Sequence, residues 1–123
     1  MAIYQINILT ATGGAFSQTF TPRSGGFLQY RYVPHGSTPV DTGGDLDVVG
    51  AQTAFVYVNQ DNIGTTAFQK LPRYATADET GTASLYAAAG EPVEGIMAVD
   101  EPLTVTIANG GDAKKGTLYI WID

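Results

Sequence analysis

The sequence predicts an all-β fold: an antiparallel β-sandwich or jelly roll of eight or nine short strands with no substantial helix, in one domain over residues 1–123. Three observations lead there. Short runs alternate apolar and polar residues with period two, the pattern of half-buried strands. Gly and Pro clusters punctuate them about every 8–12 residues. Charged residues make up 15% of the chain and Gly 15 of its 123 residues, against about 25% charged and about 7% Gly in an average domain. Thr, Tyr, Phe, Val and Ile dominate where helix formers such as Lys, Glu and Leu would be needed.

The first strand is 2–10, where Tyr4, Ile6 and Ile8 alternate with Gln5 and Asn7. Gly13 and Gly14 supply a turn, and 15–21 follows with Phe16 and Phe20 on one face. These two runs read as a hairpin, ended by Pro22, which has no N–H for a ladder. The third strand, 27–33, sets Leu28, Tyr30 and Tyr32 against Gln29 and Arg31. Residues 34–44 are loop, 46–49 a short strand, and 52–59 a strand apolar on both faces, as expected between two layers. Residues 65–71 read as a strand with Phe68 inward, stopped by Pro72. Residues 73–92 are the least periodic and read as a long surface excursion, whose Ala run is too short to nucleate a helix alone. A strand at 93–99 precedes a second expected hairpin. In it Leu103, Val105 and Ile107 lead through Asn109-Gly110-Gly111 to Leu118, Ile120 and Ile122, with Tyr119 and Trp121 on the opposite face. No repeat or linker divides the chain.

At 13.0 kDa the chain supports one core. It has no cysteine, hence no disulfide, thiolate metal site or thiol nucleophile. Its apolar runs are too short for a membrane helix, and Met1-Ala2-Ile3-Tyr4-Gln5 lacks the features of a signal peptide, which suits an assembly part made in the cytoplasm. A net charge of −6 speaks against a binder of phosphate backbones. Low charge fits a surface partly covered by a partner, and equally a β surface coated with Thr, Ser and Gln.

Asp41-Thr42-Gly43 is the catalytic triplet of aspartic proteases, which need two carboxylates about 3 Å apart sharing a proton. One triplet would require a twofold dimer to supply the second Asp41. The flanks argue otherwise: Thr38-Pro39-Val40 precedes it, and the later apolar-apolar-Gly run with its Arg is missing, so a Gly-rich turn is the plainer reading. Asp41, Asp45 and Asp47, and Asn59, Asp61 and Asn62, form two oxygen-rich groups without calcium-loop spacing; Asx turns explain them. His35 is the one histidine, between Pro34 and Gly36, and has no partner for a metal pair or triad. No Gly pair opens a helix after a strand, so none is a phosphate loop. No catalytic, metal or cofactor residue, small-molecule substrate or nucleic-acid partner is therefore expected. The aromatics, Tyr30, Tyr32, Tyr57, Tyr74, Tyr86, Tyr119 and Trp121, fit a core, an interface or a carbohydrate-binding face.

Three stretches resemble a family of small head decoration (cement) proteins of tailed bacteriophages. They are the N-terminal alternation from Ile3 to Thr10, Val40-Asp41-Thr42-Gly43-Gly44-Asp45-Leu46, and the C-terminal run from Ile107 through Asn109-Gly110-Gly111-Asp112 and Gly116-Thr117 to Trp121-Ile122-Asp123. Leu71-Pro72-Arg73 is similar to the family's Tyr-Pro-Arg. All are strand and turn motifs. The resemblance implies a non-enzymatic structural protein, commonly a homotrimer, on the outer surface of the phage capsid, clamping major capsid protein subunits. Arg23, Arg31, Arg73, Tyr74, Tyr119 and Trp121 are then the expected interface residues, because Arg, Tyr and Trp favour interfaces. Loops 22–26, 34–44 and 73–92 are the expected contact segments. A carbohydrate- or surface-binding module of a tail or fibre appendage is the alternative, and a dimeric protease using Asp41 the remote one.

Overall fold

A computed structural model describes residues 1–75 and 94–123. Among them are eleven strands: β1 (Ala2–Leu9), β2 (Phe16–Phe20), β3 (Gly25–Pro34), β4 (Asp45–Gly50), β5 (Val56–Gln60), β6 (Phe68–Lys70), β7 (Tyr74–Ala75), β8 (Glu94–Gly95), β9 (Met97–Val99), β10 (Leu103–Ala108) and β11 (Lys115–Ile122). One sheet runs β1-β11-β3-β6, with β9 also pairing β3; the other runs β2-β10-β4-β5; β7 and β8 form a separate pair. Every pairing is antiparallel. The all-β class holds. The strand number exceeds the expected eight or nine because the 93–99 run divides into β8 and β9, and Tyr74–Ala75 pairs with β8.

The core lies between the two large sheets. Ile6, Ile8, Phe27, Tyr30, Tyr32, Leu118, Ile120 and Ile122 on one side meet Leu46, Val48, Val58, Leu103, Val105 and Ile107 on the other. These are the inward positions of the period-two runs.

Neither expected hairpin forms. β1 and β2 lie in different sheets, and so do β10 and β11. The connections arch across the core and tie to each other. Gly110 N–H donates to Gly14 O, and Thr10 N–H to Lys114 O. Alternation tells which face is inward but not which strand lies alongside.

Two further expectations change. Residues 51–55 form a turn, closed by Gly50 N–H to Phe55 O, with Ala54 at φ +59°, so β5 starts only at Val56. Instead of lying between two layers along its length, β5 is the edge strand of its sheet among the described residues, and Phe55 and Val56 are exposed. In β3, a bulge opposite Trp121/Ile122 turns Phe27 into the core in place of Leu28. The expected excursion at 73–92, including Tyr86, lies outside the described residues beyond Ala75.

Candidate functional site: an outward aromatic face and a cleft

Leu118, Ile120 and Ile122 point inward and are fully buried, so Tyr119 and Trp121 point outward. Their rings lie 6.3 Å apart. The register builds the surroundings: Ile3, Trp121 and Gln29 form one cross-strand row, and Gln5, Tyr119, Arg31 and Gln69 the next. Asn7, Thr117 and Val33 form a third row, and Leu9 pairs with Lys115. Ile3 is 57% and Leu9 56% exposed. Gln69 donates to Gln29 at 3.0 Å, which fixes part of the amide fringe. No Asp or Glu occupies an outward position on these strands among the described residues.

The other sheet presents a different surface. Its outward rows are Thr19, Thr104, Val49 and Val56, then Ser17, Thr106, Asp47 and Asn59. Thr19 and Thr104 hydroxyls bond at 2.9 Å. The sandwich is thus coated with hydroxyls and acids on one side, and with aromatics, amides and a guanidinium on the other.

The six expected interface residues separate accordingly. Arg31, Tyr119 and Trp121 come together on the aromatic face. Tyr74 belongs to none of those rows and lines a cleft of about 450 Å³ with Thr53, Phe55, Tyr57, Met97, Ala98 and Glu101. The Arg73 guanidinium is engaged with backbone, donating to Leu28 O at 2.8 Å and Pro72 O at 2.7 Å, which ties the segment after β6 to the β3 bulge. Arg23 sits in the exposed loop after β2, where its N–H donates to the Tyr4 hydroxyl at 2.8 Å.

Sequence reading missed the cleft because its parts are far apart along the chain. Glu101 reaches back to the 51–55 turn, accepting from Gln52 N–H and Thr53 N–H at 2.9 Å and from the Thr53 hydroxyl at 2.6 Å. Those donors, the Thr53 hydroxyl first, hold its carboxyl below the usual range. Gly50 makes room for it: a Cβ there would meet the carboxylate at 2.5 Å. Phe55 and Tyr57 rings meet edge to face at 4.9 Å, and Tyr57 stacks on Phe27 at 5.9 Å. The Tyr57 hydroxyl donates to Ala98 O at 3.2 Å, and burial followed by the Glu101 charge raises its pKa.

Asp41 lies in an exposed turn. Its N–H donates to Gly110 O, its carbonyl accepts from Gly44 N–H, and its carboxylate is 3.9 Å from Lys114 Nζ. Asp45 accepts from Asn62 N–H at 3.2 Å and from the Asn109 amide at 3.1 Å, the backbone-capping use expected of Asx residues. His35 Nδ1 faces the N–H groups of Ser37 and Thr38.

No family model matches the chain. No curated protein matches it either. Among solved structures, the crystal structure of FlhE is 12% identical over 97% of this chain and 94% of that one, with a TM-score of 0.39. A likeness that weak carries no argument about function.

Proposed function

We propose that the chain is a non-catalytic docking module, a capsid decoration protein that seats the β1-β11-β3-β6 face on the major capsid protein. The observation that supports this is the difference between the two outward faces. Large exposed apolar groups without acids, fringed by Gln and Arg, have the composition of an interface centre. The resemblance noted above supplies the capsid as partner and the homotrimer as the free form. The mechanism is burial: at ~25 cal/mol per Å², a contact of order 1,000 Å² outweighs moderate association costs, and repetition over a shell multiplies it.

The outward Tyr119–Trp121 pair also favours a second reading, a glycan-binding face, since flat aromatic rings flanked by amides suit sugar rings. One experiment separates them. Purified protein is incubated with expanded capsids lacking it and co-sedimented. Saturable binding that falls at least about tenfold in Trp121→Ala is expected, the size of an interface hot spot. Failure to bind capsids, with glycan-array binding lost in the same variant, favours the second reading. Light scattering on the free protein tests the trimer.

A further inference from the structure

The cleft between β5 and β9 shares no lining residue with the rows of the docking face and has its own chemistry. Its walls are aromatic rings and a thioether: Phe55, Tyr57, Tyr74 and Met97. Phe55 is 47% and Tyr74 45% exposed, so both offer ring surface to an incoming group. Among the described residues that line it, Glu101 carries a charge and none is Lys or Arg. A carboxylate beside several aromatic faces makes a region of negative potential, because each ring face carries the negative lobe of its quadrupole.

The hydrogen-bond inventory narrows the ligand. Oε1 of Glu101 accepts from two backbone N–H groups and Oε2 from the Thr53 hydroxyl, so three of the about four acceptor positions of the carboxylate are taken. Ala98 O already accepts from Tyr57. A sugar needs several free acceptors for its hydroxyls, and a primary ammonium or guanidinium needs about three to five for its N–H donors, whereas the Glu101 carboxylate has about one position left. A bare metal ion needs several unoccupied oxygens. A quaternary ammonium needs none of these. It carries charge and methyl groups but no donor, and it gains from ring faces and from the field of an anion. Glu101 is ionised across the neutral range, since its donors hold the carboxyl low.

We propose that the cleft formed by Phe55, Tyr57, Tyr74, Met97 and Glu101 binds a small quaternary ammonium ion, methyl groups against the rings and charge toward the carboxylate. The ligand class is choline-like. The proposal does not depend on the capsid reading.

The test uses the intact protein and two probes of equal shape, choline and its uncharged carbon analogue 3,3-dimethyl-1-butanol. Binding is followed by the amide signals of Thr53, Phe55 and Ala98 in titrations to 100 mM. Choline is expected to saturate at least about tenfold more tightly than the analogue. Glu101→Gln keeps an acceptor for the turn N–H groups and is expected to cut choline affinity about fivefold while leaving the analogue unchanged. Tyr74→Leu on the rim is expected to weaken choline about fivefold, and Tyr74→Phe to restore it. Equal binding of the two probes overturns the proposal. So does an unchanged choline-to-analogue ratio in a folded Glu101→Gln, tighter binding of methyl β-glucoside than choline, or no saturable shift at all.

Discussion

Tyr32 is fully buried, and its hydroxyl makes no hydrogen bond of good geometry among the described residues. Burial pushes this phenol and that of Tyr30 up to about 12. A buried donor without a partner costs about 1–3 kcal/mol. Tyr32→Phe keeps the ring that fills the core and removes that cost, so chemical denaturation should show a gain of about 1 kcal/mol. Gly116 beneath it has the opposite sensitivity. A Cβ there would stand 2.9 Å from the Tyr32 ring and hydroxyl, so Gly116→Ala should destabilise by about 1–3 kcal/mol, as overpacking does. Asp47 carries an electrostatic cost. Desolvation first, then the charges of Asp61 and Asp45, raise its carboxyl above its ordinary value. A carboxyl harder to ionise folded than unfolded costs nothing below its unfolded value. The cost grows as pH rises through the folded value and is complete above it. Asp47→Asn should therefore raise the melting temperature at pH 7 by about 2 °C, the scale of a screened surface interaction. The gain should vanish below about pH 3.5, under the ordinary carboxylate value.

The connections between elements decided the topology, and they were the part least legible in the chain. Gly13-Gly14 and Gly110-Gly111 were read as hairpin turns, and the same residues serve an arch equally well. What selects the arch is a contact between the two loops. Thr10, fully buried, donates its hydroxyl proton to Gly111 O at 2.6 Å and accepts from Lys114 N–H at 2.8 Å. Its partners are about a hundred residues away, beyond any local pattern. Thr10→Val is nearly isosteric and leaves a part-buried N–H and carbonyl unpaired. It should cost about 2–3 kcal/mol by denaturant unfolding, and Thr10→Ser should recover most of that. Inward faces were legible wherever one face of a strand was polar, as in β1 with Ile6 and Ile8. In β11 both faces are apolar, so alternation alone left Tyr119 and Trp121 open between core and surface. The start of β5 was hidden because Ala54 adopts φ +59° without any residue that marks it. Ala54→Gly should relieve that strain and be neutral to about 1 kcal/mol stabilising, since Gly also loses more chain entropy.

At the scale of the whole molecule, a net charge of −6 is distributed unequally between the two outward faces. Asp45, Asp47 and Asp61 gather at the hydroxyl-coated sheet, whereas the aromatic face carries Arg31 and Lys115. Among the described residues, the β1 edge of that face is unpaired and unguarded. β1 has eight residues, none charged and none proline, in an edge position where proteins ordinarily place such groups to prevent pairing. β6, at the opposite edge, is only three residues long, ends in Lys70 and is followed by Pro72. An open edge beside Ile3 and Leu9 makes the β1 side the place where a partner gains most by covering the sheet. Ile3→Lys and Leu9→Lys then separate docking from folding. Both side chains are mostly exposed, so stability should change by less than about 0.5 kcal/mol. Capsid binding should fall by about tenfold or more for the pair, because two apolar contacts are replaced by solvated charges within the interface. Thr104→Lys places the same charge on the opposite face and should leave binding within about twofold. If Thr104→Lys weakens co-sedimentation and the β1 variants do not, the docking surface is the hydroxyl-coated sheet and the assignment of faces is reversed.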